Sequence, residues 1–188
     1  MLAALPDWAL PTPLSSISIG HGLSLSPLHG GDKTALVLHL RDTEIAQAML
    51  HIPQPYTLAD AHNWVALARA RARGYGRELV LAIRDEVGFL VGCAGFEIES
   101  SGSHKAELGY WLAKPYWGRG WMTEVVKSLV AVAWQQHGWS RLSANVFEQN
   151  TASARVLQKA GFTHEATLRK FYYKAGVYSD AKVFAITR

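Results

Sequence analysis

A single cysteine, Cys93, stands in 188 residues, so no disulfide can form within the chain and a zinc site assembled on thiolates is not expected. Its neighbours, Phe89-Leu-Val-Gly-Cys-Ala-Gly-Phe96, are apolar, which makes the thiol a small buried hydrophobe rather than a nucleophile and fits a reducing compartment. Long hydrophobic runs are missing too: no apolar stretch approaches the roughly 20 residues that cross a bilayer. The opening Met-Leu-Ala-Ala-Leu-Pro-Asp has no basic residues, and Pro6 and Asp7 interrupt it before it reaches signal-peptide length. A cytoplasmic location without a membrane partner is therefore expected. The eight histidines, His51, His62 and His104 among them, show no close ligand spacing, so no metal is expected.

What is present describes an ordinary globular chain, 49% hydrophobic and 18% charged. The formal charge of +4 favours a polyanionic ligand, whether CoA, nucleic acid or an acidic protein. Residues 1–20 carry Pro6, Pro11, Pro13, Ser15, Ser16 and Ser18 and read as an irregular arm before one domain over 21–188. Leu23, Leu25 and Leu28 suggest a short strand, followed by a turn at Gly30-Gly31-Asp32 and a helix over about 33–41. Thr57-Leu-Ala-Asp60 is a capping box opening a helix that ends near Gly74. Strands are expected over 78–84 and 88–100 as a hairpin, over 105–112, and over 141–147. Apolar positions 122, 125, 126, 129, 130 and 133 mark a helix over about 121–136. A short helix over 151–160 and a hairpin of 163–173 with 177–187 around Ala175-Gly176 complete a mixed α/β (α+β) sheet protein.

The chemistry concentrates where strand 105–112 turns into the strongest helix through Lys114-Pro-Tyr-Trp117-Gly118-Arg119-Gly120-Trp121-Met122-Thr123-Glu124. Free N–H groups and the positive end of the helix dipole make such a junction an anion site, and glycine lets a phosphate approach the backbone. It closes with no Gly-Lys-Ser/Thr and lacks the three-glycine dinucleotide fingerprint, so nucleotide hydrolysis and NAD chemistry lose support. Some 30 residues on, Asn150-Thr-Ala-Ser153-Ala-Arg155-Val-Leu-Gln-Lys-Ala-Gly161-Phe162 reads as a capped helix closed by a left-handed glycine.

These two stretches, in this order, resemble the acetyl-CoA-binding core of the GNAT acetyltransferase superfamily, and most of all its ribosomal-protein N-terminal acetyltransferase branch. The resemblance spans about 22–188, its specific motifs 105–162. It implies a mostly antiparallel central sheet of about seven strands flanked by about four helices. It also implies acetyl-CoA as co-substrate, held by Leu112, Ala113, Trp117, Gly118, Arg119, Gly120, Trp121, Met122, Thr123, Asn150 and Ser153. Two marker positions of the pyrophosphate motif differ. Trp117 stands for Gln or Arg and Met122 for a small residue, so backbone amides from about 118 to 123 must do the binding.

Acetyl transfer to an amine needs a neutral amine, a path for its proton, a stabilised oxyanion and a thiolate leaving group. An α-amine, with pKa near 8, needs less help than a lysine near 10.4. Glu107 resembles the family strand's proposed base, with Glu97 and Glu99 as fallbacks; Ser153 faces the CoA sulfur, and a backbone N–H near Leu112 meets the oxyanion. Arg169, Tyr172 and Asp180, in what resembles the branch's closing hairpin, are candidates for substrate contact. The expected acceptor is a protein or peptide N-terminus. Alternatives are a small amine such as an aminoglycoside or polyamine, and an acyl-CoA-binding module without turnover. The arginines of Arg69-Ala-Arg71-Ala-Arg73-Gly-Tyr-Gly-Arg77 could grip RNA, but they read better as a solvated helix face. Nucleic acid is not the expected partner, and a homodimer is left open.

Overall fold

A computed structural model describes residues 16–98, 100 and 102–188. Residues 1–15 of the expected arm over 1–20, and the fallback Glu99, lie outside the described residues. The last residues of that expected arm are not irregular: Ile17–Gly20 is strand β1, its Ile17 and Ile19 packed on the core.

Among the described residues one sheet of eight strands runs in the order β1-β2-β3-β4-β5-β6-β8-β7. The strands are β1, β2 (Leu23–Pro27), β3 (Val80–Arg84), β4 (Leu90–Glu97), β5 (Lys105–Leu112), β6 (Arg141–Phe147), β7 (Thr163–Lys174) and β8 (Val177–Thr187). The helices are α1 (Lys33–Leu40), α2 (Thr43–Ala48), α3 (Leu58–Tyr75), α4 (Trp121–Val132) and α5 (Thr151–Lys159). The expected seven strands and four helices thus become eight and five, the additions being β1 and α2. Several bounds also move. The α3 helix runs on to a left-handed Gly76, which receives the closing turn instead of Gly74. The regular part of α4 stops at Val132 and widens into a π-turn over Ala133–His137.

Every strand pair is antiparallel except β5 with β6, which are parallel over Lys105↔Arg141, Ala106↔Leu142 and Glu107↔Ser143 and then part. Alternation divides the side chains between two layers. Ala106, Leu108 and Leu112 join Val125, Val126 and Leu129 of α4 and Leu157 of α5 in the larger core. Trp111 and Cys93 join Leu36, Val65 and Ala68 of α1 and α3 on the opposite face. Burial pushes the Cys93 thiol well above its usual range, in keeping with an inert core residue.

The α1 end of this second layer is tied down by a buried ion pair. Arg84 of β3 presents both guanidinium nitrogens to Asp32 at 2.7 and 3.0 Å and donates to Ser26 Oγ at 2.6 Å. Both side chains are almost wholly buried, a burial tolerable only because charge and hydrogen bonds are satisfied together. The expected capping box forms at α3, where Thr57 and Asp60 hold each other's backbone N–H groups.

Candidate active site

Strand β5 is followed by a fully buried Ala113, whose N–H donates to Val91 O at 2.8 Å, so that amide extends the sheet and is not offered to a ligand. That bond fixes the alternation: odd positions of β5 direct their backbone groups to β4, and even positions direct theirs towards β6. Pairing with β6 stops after Glu107↔Ser143, so the groups of Leu108, Tyr110 and Leu112 on that side face a widening gap. The sheet is open there, and the Leu112 N–H points into the opening.

After a single 3-10 turn, Lys114–Tyr116, the chain reverses through Gly118 (φ 76°) and Gly120 (φ 77°) into α4. A Cβ at either glycine would meet nothing within 4 Å, so it is the left-handed backbone and not crowding that asks for glycine. No side chain caps α4. Gly120, Trp121 and Met122 offer N–H groups without intrahelical acceptors, whereas Thr123, the last amide of the expected cradle, donates to Gly120 O at 3.0 Å. Met122 is buried in the core, away from the turn, so the larger side chain costs the cradle nothing. Trp117 supplies no cation; its indole N–H donates to Leu112 O at 2.6 Å and ties the turn to the strand end. The charge comes from Arg119, whose guanidinium lies 5.0 Å from the Trp121 ring and 5.9 Å from the Tyr116 ring. No ion pair engages Arg119 among the described residues.

Helix α5 closes the gap on the same side. Asn150 Oδ1 accepts the Ser153 N–H at 3.0 Å, a cap that accounts for its carbonyl oxygen and leaves its amide N–H groups to a ligand. Ser153 Oγ sits 2.8 Å from the Tyr110 hydroxyl, a partner that sequence reasoning missed. The signal was available: three residues from Glu107, Tyr110 belongs to the opposite face of β5 and so to the α5 side. Burial pushes the Tyr110 phenol up to about 12, so it stays protonated and acts as a donor.

Glu107 stands on the other face, at the point where the gap begins. It is solvent-exposed, yet desolvation raises its carboxyl above the usual range, with the nearby Glu97 adding to the rise and a hydrogen bond from Asn145 opposing it. A carboxyl raised in this way is a better proton acceptor near neutrality. Burial, with the nearby Glu107 charge second, raises the Tyr172 phenol to about 12. It is only 9% exposed, packed on Phe147 at 4.2 Å, and forms wall more than open contact surface. Arg169 and Asp180 line a cavity of about 470 Å³ together with Lys170, which sequence reasoning also missed. Lys170 has φ 51° at a bulge of β7, and its N–H donates to Asp180 Oδ1 at 2.7 Å. Asp180 thereby sets the hairpin's shape before it meets any ligand.

The sheet therefore carries a turn with free N–H groups and two hydroxyls on its α4–α5 face, a carboxyl on the other, and a gap in strand pairing between β5 and β6. The model of the acetyltransferase (GNAT) domain matches residues 23–163. An uncharacterized N-acetyltransferase of Bacillus subtilis, YoaA, is 35% identical over 53% of this chain and 56% of its own length. The ribosomal-protein-serine acetyltransferase of Escherichia coli is 26% identical over 60% of this chain and 62% of its own. The chain thus spans little more than half the length of these relatives. A crystal structure of the microcin C7 self-immunity acetyltransferase MccE, in complex with acetyl-CoA and AMP, superposes with a TM-score of 0.84 at 21% identity, over 97% of this chain and all of that one.

Proposed function

The chain belongs to the GNAT acetyltransferase family, and from that premise we propose that it transfers an acetyl group from acetyl-CoA to a primary amine, the α-amine of a protein or peptide N-terminus. The observation that carries this reading is the uncapped N-terminus of α4, entered through two left-handed glycines and placed beside the gap between β5 and β6. A pyrophosphate fits the amides of Gly118–Met122, with Arg119 in reach as a counter-charge. Pantetheine fits the gap, where the amide N–H groups of Asn150 remain to meet it. Bound acetyl-CoA supplies the thioester carbonyl and the thiolate leaving group.

The protein's own part is positional and electrostatic. Glu107, directly or through a water, takes the proton of the attacking amine, and the Leu112 N–H is offered to the oxyanion. Ser153, with Tyr110 behind it, donates towards the sulfur. An α-amine is already partly neutral at physiological pH, so one raised carboxyl suffices. The protein-acceptor reading draws support from the Escherichia coli relative, whose name places its acceptor on a ribosomal protein. A small amine is the second reading, in which the Asp180 carboxylate, beside Arg169 and Lys170 in an open surface pocket, would receive its ammonium.

The test is calorimetric titration with acetyl-CoA of the intact protein and of Gly120→Asp, followed by an acceptor panel. Asp tolerates the left-handed conformation better than most residues and meets no neighbour there, so the variant folds while placing a negative charge where phosphates bind. Micromolar binding to the wild type, weakened at least tenfold in the variant, is expected. Peptides with a free N-terminus should then be acetylated faster than Nα-blocked, lysine-containing peptides, aminoglycosides or polyamines. Absence of acetyl-CoA binding to the wild type removes the reading. Binding without turnover of any acceptor converts it into an acyl-CoA-binding module.

A further inference from the structure

Glu107 has a second carboxylate directly opposite. Glu97 of β4 is its cross-strand partner, and the alternation fixed by the Ala113–Val91 bond makes this a hydrogen-bonded pair, with Cα atoms about 5.5 Å apart and both side chains on one face. Like charges so placed repel. The Glu97 side chain does not float free: Arg71, near the C-terminal end of α3, meets its two oxygens with two guanidinium nitrogens, each at 2.9 Å. The arginine is 23% exposed and the carboxylate 69%, so the better-buried partner reaches out to hold the more exposed one. A flexible surface glutamate held in a two-point fork beside the proposed base is more than a solvated helix face requires. Other charged or titratable groups stand near Glu107: Lys105, two residues away on its own strand, Arg141 of β6, which is opposite Lys105 and ion-paired with Glu165, and Tyr172 of β7, which the Glu107 charge affects; the neutral Asn145 of β6 opposes the rise in the Glu107 carboxyl.

We propose that Arg71 and Glu97 are positioning residues that act through Glu107: the fork fixes and neutralises Glu97, and so decides how strongly one carboxylate opposes ionisation of the other across the β4–β5 ladder. This rests on the reading of Glu107 as the proton acceptor of acetyl transfer. Loss of Arg71 leaves Glu97 unscreened and also removes a nearby positive charge, so Glu107 holds its proton to higher pH. Loss of Glu97 does the reverse. A lysine at position 71 keeps the sign of the field though it loses the fork.

The experiment is a carboxyl-carbon NMR titration of the full chain with ¹³C-labelled glutamate and no ligand, the Glu107 resonance being identified by its loss in Glu107→Gln. Arg71→Met should move the Glu107 titration to higher pH by roughly half a unit, Glu97→Gln should move it down by a similar amount, and Arg71→Lys should stay near wild type. Raising the salt concentration should shrink the Arg71→Met displacement. A Glu107 titration that does not move in Glu97→Gln overturns the proposal, and that variant alone decides if Arg71→Met fails to fold, because it alters a mostly exposed side chain. Turnover of acetyl-CoA and a free-N-terminus peptide by Glu107→Gln separates the two readings. A wild-type rate removes the base assignment and with it the catalytic meaning of the pair, whereas an inactive Glu107→Gln with unmoved titrations removes the pair alone.

Discussion

The Ser153 hydroxyl does not act alone. Its oxygen lies 2.8 Å from the Tyr110 hydroxyl, and the same phenol also reaches Ser153 O at 3.3 Å, so two donors share one place at the start of α5. A phenol held near 12 cannot serve as a base, but it can hand its proton to a hydrogen bond. CoA is a tolerable leaving group, its thiol pKa being near 8.5, so protonating the sulfur contributes modestly to the rate. Ser153→Ala is therefore expected to lower kcat by about tenfold or less, about 1.4 kcal/mol. Tyr110→Phe should do no worse, while the double variant should lose more than the two singles combined, since each hydroxyl covers for the other. Steady-state kcat at saturating acetyl-CoA measures this; a single Ser153→Ala as damaging as the double would show that Tyr110 provides no cover. At this scale the sequence was partly legible. The glycine turn and the Asn150 cap were readable because backbone conformation restricts which residues stand there. Lys170 was not, because a bulge in β7 decides where it points, and nothing in Leu168-Arg-Lys-Phe-Tyr172 announces a bulge.

The helix that sequence reasoning did not find holds two sides of the candidate site. The α2 helix has six residues, too few for its spacing of apolar positions to stand out, although Asp42 capping the Glu44 N–H at 2.8 Å is a recognisable start. Its Glu44 pairs with Lys114 at the entry to the glycine turn, and Lys174 at the tip of β7 donates to Ala46 O and to Met49 O at its C-terminal end. Leu50 adds an apolar contact with the cluster of Phe147, Tyr172 and Ala181. The hairpin is thus fastened to the α1–α2 side through one ammonium, which also offsets the negative end of the helix dipole. Burial lowers the Lys174 ammonium below its usual range, so the hydrogen bonds keep a charge there against a desolvation cost. Lys174→Met keeps the stem and removes those bonds; a loss of about 2 kcal/mol and a Tm lower by roughly 4–8 °C are expected. KM for the acceptor should rise while affinity for acetyl-CoA stays unchanged. An unaltered KM beside a lowered Tm would leave the tether a purely structural feature. The other addition, β1, was hidden for a different reason: Ile17 and Ile19 alternate as a strand should, but they follow a proline- and serine-rich stretch, and only pairing with β2 gives them a surface to cover.

For the molecule as a whole, the larger core reaches its far end at a stack of aromatic rings where α4 unwinds. The imidazole of His137 lies 4.2 Å from the Trp139 ring at an interplanar angle of 10°, with Phe96 edge-on at 5.5 Å. Arg77 Nη1 approaches His137 Nδ1 at 3.3 Å, and because a guanidinium only donates, that nitrogen must accept; the neutral ring then carries its proton on Nε2. Nε2 is buried without a hydrogen-bond partner among the described residues. Burial first, and the Arg77 charge second, lower this histidine from 6.5 to about 4. The sign follows directly. With the folded value below the unfolded one, the unfolded chain takes up a proton over the window from about 6.5 down to about 4 that the folded chain refuses, so stability is fully present above that window and is lost as pH falls through it. The ceiling is one proton, about 1.4 kcal/mol per pH unit. His137→Phe keeps a ring against Trp139 and removes the titration. Between about pH 7 and 5, chemical denaturation should show wild-type stability falling by more than that of the variant, with the carboxylates common to both cancelling in the difference. Parallel stability–pH curves for the two proteins would mean that the ring is protonated at no cost where it stands, and that the stack holds this end of the core by contact alone.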